Sequence, residues 1–154
     1  MIKIIGDGGH AKVVRDVINC SYWSHDDDEE LAFVAIGNNA DRRFESVRVI
    51  GRFALLVHPS AILGADLEIG DGTIIMAGAV VQAGTVIGKH CILNTNSSCD
   101  HDCTIGDYAH IAPGAVLCGN VTVGEGALIG AGAVCVPGAV IPPWSLVKAG
   151  TVAK

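Results

Sequence analysis

The sequence predicts a mainly β protein: a parallel β-helix of about five triangular coils, preceded by a small, shortened α/β segment of Rossmann-like pattern. Three observations carry this reading. Apolar residues recur at every sixth position from Val57 onward. Gly, Asn or Asp recurs three places after most of them. The first 56 residues follow neither rhythm and open instead as strand, glycine turn and helix. Residues 1–56 and 57–154 therefore divide into a small α/β portion and a β-helix portion.

The first column reads Val57, Leu63, Ile69, Ile75, Val81, Ile87, Leu93, Cys99, Ile105, Ile111, Leu117, Val123, Ile129, Cys135 and Ile141. Four residues after each stands a second, smaller column: Ala61, Leu67, Thr73, Ala79, Thr85, Cys91, Ser97, Cys103, Ala109, Ala115, Val121, Ala127, Ala133, Ala139 and Ser145. A period of six is neither that of a helix nor that of a strand. It fits a short strand plus a turn, with the aliphatic side chain inside and the small residue filling a tight corner. The turn positions include seven glycines (Gly72, Gly78, Gly84, Gly114, Gly126, Gly132, Gly138) with Asp66, Asn96, Asp102 and Asn120, the types that best tolerate positive φ. Three such edges close an eighteen-residue triangle, so fifteen hexapeptides make five coils over residues 57–146, about 24 Å tall at 4.8 Å per coil. A chain that is 50% hydrophobic but only 5% aromatic suits such stacking better than a core built around large rings.

In the first 56 residues, Ile2–Ile5 reads as a buried strand and Gly6-Asp7-Gly8-Gly9-His10 as a turn. Ala11–Ile18 has helical apolar spacing. Glycines there let a backbone approach a ligand, and the helix N-terminus favours phosphate. Leu31–Ile36 is a second strand running into Gly37-Asn38-Asn39, Asp41–Phe44 begins a short helix, and Phe53–Val57 is a strand leading to the coils. The acidic run Asp26–Glu30 reads as a solvated loop.

The formal charge of −6 argues against nucleic acid or an anionic membrane surface as a partner. No apolar run reaches a membrane helix's length and no signal peptide is evident, so the cytoplasm is the expected compartment. The six cysteines form no CxxC pair. Cys91, Cys99, Cys103 and Cys135 belong to the two inward columns, Cys118 points outward, and no metal site is expected.

The stretches GDGGHAKVV, VAIGNN, HPSA, LNTNSSCDHDCTIGDYAHIAPGAVLCGNVTVGEGALIGAGAVCVPG and AGTVAK together resemble the bacterial sugar acyltransferases of the NeuD/PglD type. That resemblance implies left-handed coils, where strand–crossover–strand rules alone would suggest the opposite hand. It implies acetyl transfer from acetyl-CoA to the amine of a nucleotide-linked amino sugar, by a homotrimer whose acyl-CoA sites lie between neighbouring subunits. It makes His101 the general base, with Asp102 raising its basicity. His110, Gly119, Ala131 and Ala149 would line the CoA site, while Gly8, Gly9, His10, Gly37 and Asn94 would hold the sugar nucleotide. His58, in HPSA, is expected to be structural. The chain departs from its relatives by lacking an evident strand between Cys20 and Leu31, which predicts weakened nucleotide binding. Three other readings stay open: O-acetylation of a sialic-acid-type sugar, a zinc hydratase using His90, His101 and His110, and a non-catalytic scaffold.

Overall fold

The structure is a computed structural model and describes residues 1–20 and 30–154. The expected loop at Asp26–Glu30 lies, except for Glu30, outside the described residues, as does His25. Strand β1 (Ile2–Ile5), helix α1 (Gly9–Cys20), strand β2 (Leu31–Val34), helix α2 (Asn39–Ser46) and strand β3 (Arg52–Phe53) come first. The strands form a parallel sheet in the order β1-β2-β3. Helix α2 starts at Asn38, whose side chain accepts from the Asp41 N–H, so it begins earlier and runs longer than the sequence suggested. Phe53–Val57 is not one strand. Phe53 pairs with Ala32 in the small sheet, and Leu56–Val57 already belongs to the coils.

From Leu56 onward the described chain winds through seventeen two-residue strands in three parallel sheets of six, six and five. We call these the first face (beginning Leu56–Val57), the second (Ile62–Leu63) and the third (Glu68–Ile69). The prism is thus five coils and two-thirds of another. It exceeds the expected span because Val147 and Ala153 continue the inward column, pairing with Ile129 and Cys135. Each coil hydrogen-bonds to the next, as when the Ile92 N–H donates to Ala109 O at 2.9 Å and the His110 N–H to Ala127 O at 2.9 Å. The two inward columns form one continuous core. Only its ends open to solvent: Leu63, in the first coil with nothing beneath it, is 40% exposed.

All eleven turn residues named above have positive φ. Three more at one corner do so unexpectedly: His90, Tyr108 and Trp144, with φ of 54°, 60° and 57°. They stand in one column with Gly72 and Gly126. The His90 ring folds over Gly72 and the Trp144 ring over Gly126, where a Cβ would collide with them. The missing side chains below make room for rings in a conformation that L-residues ordinarily avoid.

The buried cysteines are packing residues with hydrogen bonds. The Thr73 hydroxyl donates to Gly88 O at 2.8 Å and accepts from the Cys91 N–H at 2.9 Å, while the Cys91 thiol donates to Gly106 O at 3.1 Å. Thr85 and Cys103 repeat the pattern at the next corner. Burial pushes the Cys91 thiol up to about 12, which keeps it protonated and inert. His58 also has a local role, its Nδ1 bonding the Ser60 hydroxyl at 2.8 Å.

The small sheet has no core of its own separate from the prism. Ala11, Val14 and Val17 of α1 and Phe33 of β2 pack with Leu56, Ile74, Met76 and Ile92, so the outward side of the first face is covered. Each large aliphatic buried this way contributes roughly 1.5–3 kcal/mol. Among the described residues the second face has no such cover: Ile62 and Val152 at its ends are 63% and 61% exposed, with half-buried Val80, Val116 and Val134 between. No helix among the described residues is long and apolar enough to cross a membrane.

Candidate active site

His101 sits on the corner between the second and third faces, with 55% of its side-chain surface open to solvent in the single chain. Three local contacts set its ring. Its N–H on the main chain donates to Asp100 Oδ1 at 2.8 Å, and its Nδ1 lies 2.7 Å from Asp102 Oδ2. Directly one coil on lies Gly119, where a Cβ would come within 2.6 Å of His101 Nε2. Glycine at 119 therefore keeps a seat for the imidazole. The Asp102 hydrogen bond raises the His101 pKa above the usual imidazole value, and the Asp100 charge adds to the effect. With Nδ1–H donated to the carboxylate, Nε2 is left with its lone pair directed outward. An exposed imidazole held in that tautomer is equipped to take a proton.

The other residues gather elsewhere. His110 and Asn94 stand on the first face, under the turn that ends β2. His110 Nε2 is 3.0 Å from Asn94 Nδ2, and its ring also hydrogen-bonds the Gly37 backbone. Asn94 Oδ1 accepts from the Thr95 N–H at 2.8 Å. His10 packs on Gly37, where a Cβ would meet the His10 Cβ at 3.7 Å. His10 and His110 are both held at about 4, first by burial and then by the positive charge of Arg42, so both are neutral near pH 7. The His10 Nε2 atom is buried without a partner among the described residues. His10, Gly37, Asn94 and His110 thus meet in one place, with Gly8 and Gly9 at the start of α1 beside them.

Gly119 shares the corner of His101, but Ala131 and Ala149 lie at the opposite edge of the second face, stacked one coil apart and exposed. His110, expected to face CoA, is covered by the N-terminal segment instead. In a triangular prism the corner of His101 lies opposite the first face. One chain therefore keeps its candidate base on one side and the residues expected to hold the sugar nucleotide on the other.

Sequence reasoning missed Arg42, which is entirely buried between α2 and the prism. It also assigned no role to His90, which is 5% exposed and packs edge-on to Phe53 at 4.4 Å and stacked on Tyr108 at 5.2 Å. Burial and then Arg42 lower the His90 pKa to about 4. Sealed between two rings, His90 cannot join His101 and His110 around a shared metal. Among the described residues no three potential ligands converge. The signal for Arg42 was faint: one of two adjacent arginines in a short polar helix.

Comparison with known proteins agrees with this fold. The bacterial transferase hexapeptide family (six repeats) matches residues 66–101 and 102–137. UDP-N-acetylbacillosamine N-acetyltransferase of Bacillus subtilis is 38% identical over 110 residues, covering 49% of this chain and 51% of that one. The acetyltransferase domain of PglB from Neisseria gonorrhoeae superposes with a TM-score of 0.90 at 32% identity, over 99% of this chain and 90% of that one. PerB from Caulobacter crescentus, solved with CoA and GDP-perosamine, matches with a TM-score of 0.90 at 32% identity, over 99% of this chain and 88% of that one. The chain spans about half the length of the curated relatives it matches.

Proposed function

The chain belongs to the bacterial hexapeptide-repeat transferases of left-handed β-helix fold, and on that premise we propose that it transfers acetyl from acetyl-CoA to the amine of a nucleotide-linked amino sugar. The observation that carries this is the His101–Asp102 pair, an outward imidazole with its free nitrogen seated over a glycine. His101 Nε2 removes a proton from the sugar amine as that nitrogen attacks the thioester carbonyl. The tetrahedral intermediate collapses, the C–S bond breaks, and the CoA sulfur leaves with its electron pair, taking up the proton. Asp102 holds the imidazole in the required tautomer and favours its cationic form during the step. Gly119, Ala131 and Ala149 line the path of CoA. Gly8, Gly9, His10, Gly37 and Asn94 receive the sugar nucleotide.

Two features of the same geometry support a homotrimer. The second face presents Ile62, Val80, Val116, Val134 and Val152 outward, broken by Ser98, and the two halves of the site stand on opposite sides of one prism. Packing prisms side by side brings the His101 corner of one copy toward another copy's first face. The cytoplasm, where acetyl-CoA and nucleotide sugars are made, is the compartment this reading requires. Residues 1–56 serve as the sugar-nucleotide portion and 57–154 as the acyl-transfer portion.

The test is a screen of UDP- and GDP-linked amino sugars with acetyl-CoA, following release of the CoA thiol. Thiol release that depends on one such sugar supports the reading. Release that depends only on a hydroxyl-bearing sugar without a free amine would favour O-acetylation. No release with any acceptor would leave a scaffold.

A further inference from the structure

Arg42 is the largest side chain that the fold buries completely. Among the described residues no carboxylate lies within ion-pair distance of it. Its five hydrogen bonds go to neutral oxygens. Nε donates to His90 O at 2.8 Å, and Nη1 donates to Ile36 O at 3.0 Å and Gly37 O at 3.1 Å. Nη2 donates to Asn39 Oδ1 at 2.9 Å and Tyr108 O at 2.7 Å. Asn39 extends the same seam, its Nδ2 donating to Gly126 O at 3.0 Å and Ala127 O at 3.3 Å.

Two of these acceptors belong to the turn that ends β2. His90, Tyr108 and Gly126 stand in successive coils at one corner of the prism. A single planar group thus ties the turn to the prism at two heights, His90 and Tyr108, and Asn39 adds a third at Gly126. Packing alone does not require it, since a buried guanidinium without a counter-ion is less favourable than an apolar residue of similar volume. The planar fork does what no apolar residue can: it sets direction and distance for several carbonyls together. Gly37 is the point where this matters, because it also meets His10 and the His110 ring.

We propose that Arg42 is a positioning residue for the sugar-nucleotide half of the site, fixing the Ile36–Gly37 turn at one height on the prism above Asn94 and His110. Arg42 touches neither substrate nor CoA and acts through Gly37. This role rests on the functional reading above, and it separates the two substrates. Nucleotide-sugar recognition depends on Arg42, whereas the acetyl-CoA path along the second face does not.

The experiment measures KM for each substrate, kcat, acetyl-CoA affinity by calorimetry and thermal midpoint for the full chain and for Arg42→Met, Arg42→Lys and Asn39→Ala. In Arg42→Met, KM for the nucleotide amino sugar should rise about ten-fold or more, with acetyl-CoA affinity within about two-fold of wild type. Arg42→Lys keeps the charge but cannot span the same oxygens, so it should recover only a minor part of the loss. Asn39→Ala, a milder cut in the same seam, should raise that KM about three-fold and decides the matter if Arg42→Met does not fold. An unchanged sugar KM overturns the role, and so does a parallel rise in both substrates' KM, which would mean general loosening. If wild-type protein turns over no nucleotide sugar, the functional reading falls separately. Calorimetry with UDP and GDP then decides Arg42: weaker binding in the variants supports the role, and unchanged or undetectable binding overturns it.

Discussion

Acidification from pH 8 to pH 5 should strip the fold of several kcal/mol of stability through three histidines, His90 buried and His10 and His110 half-buried. His10, His90 and His110 are each held near 4 in the folded chain, against 6.5 when exposed, by burial first and by Arg42 second. Their folded pKa values are depressed, so the unfolded chain binds protons first as pH falls below about 6.5. Stability is full above that pH and drains away until the folded protein itself protonates near 4. For one such group the loss by pH 5 is about 2 kcal/mol. Three groups sharing one guanidinium do not add fully, and His10 and His110 are only half-buried, so the sum is on the order of 4 kcal/mol. His101 works in the opposite direction, its folded pKa being raised, but it is exposed and does not offset this loss. The assay is urea unfolding at fixed protein concentration at pH 8 and pH 5, for wild type and His90→Phe. Phenylalanine preserves the ring between Phe53 and Tyr108 and removes the unpartnered Nδ1. The variant should lose about a third less stability on acidification while remaining as stable at pH 8. A wild-type midpoint that does not move between the two pH values would refute neutral burial of these imidazoles. Equal acid slopes in wild type and variant would remove His90 from the account.

His101→Ala should lower turnover by about 10²- to 10⁴-fold, the usual worth of a general base, with little change in the melting temperature because the side chain is exposed; steady-state kinetics beside a thermal melt reads both. Asp102→Asn removes the hydrogen bond that raises the His101 pKa, so the rising limb of kcat/KM against pH should move to lower pH while the plateau falls; a limb that stays in place would separate Asp102 from the base. Ile129→Asp places a carboxylate among Ile111 and Val147 in a fully buried column and should cost on the order of 4 kcal/mol or prevent folding, as expression yield and unfolding curves would record. Sedimentation at micromolar concentration should give three chains per particle, and Val116→Glu on the uncovered second face should reduce this to one.

The six-residue repeat was legible because it is local and periodic. Each hexapeptide carries its own strand, its own positive-φ turn and its own inward side chain, so the coils, their register and most of the core could be read along the chain. The His101–Asp102 pair was singled out by its family resemblance, and the structure adds the 2.7 Å contact between the two side chains. Tertiary structure alone decided how the first 56 residues sit. Helix α1 and β2 cover Leu56, Ile74 and Ile92 on the first face, and this places His110 under Gly37 and away from the outer surface. Arg42 acquires its role only because that docking brings carbonyls of residues 90 and 108 to a helix that lies far away in sequence. The corner rings of His90, Tyr108 and Trp144 belong to the same class: their conformation depends on which coil neighbours are glycine or aromatic, eighteen residues apart. A repeat specifies contacts within and between its own units. A docked, non-repeating segment is placed by side chains whose partners no period in the sequence announces.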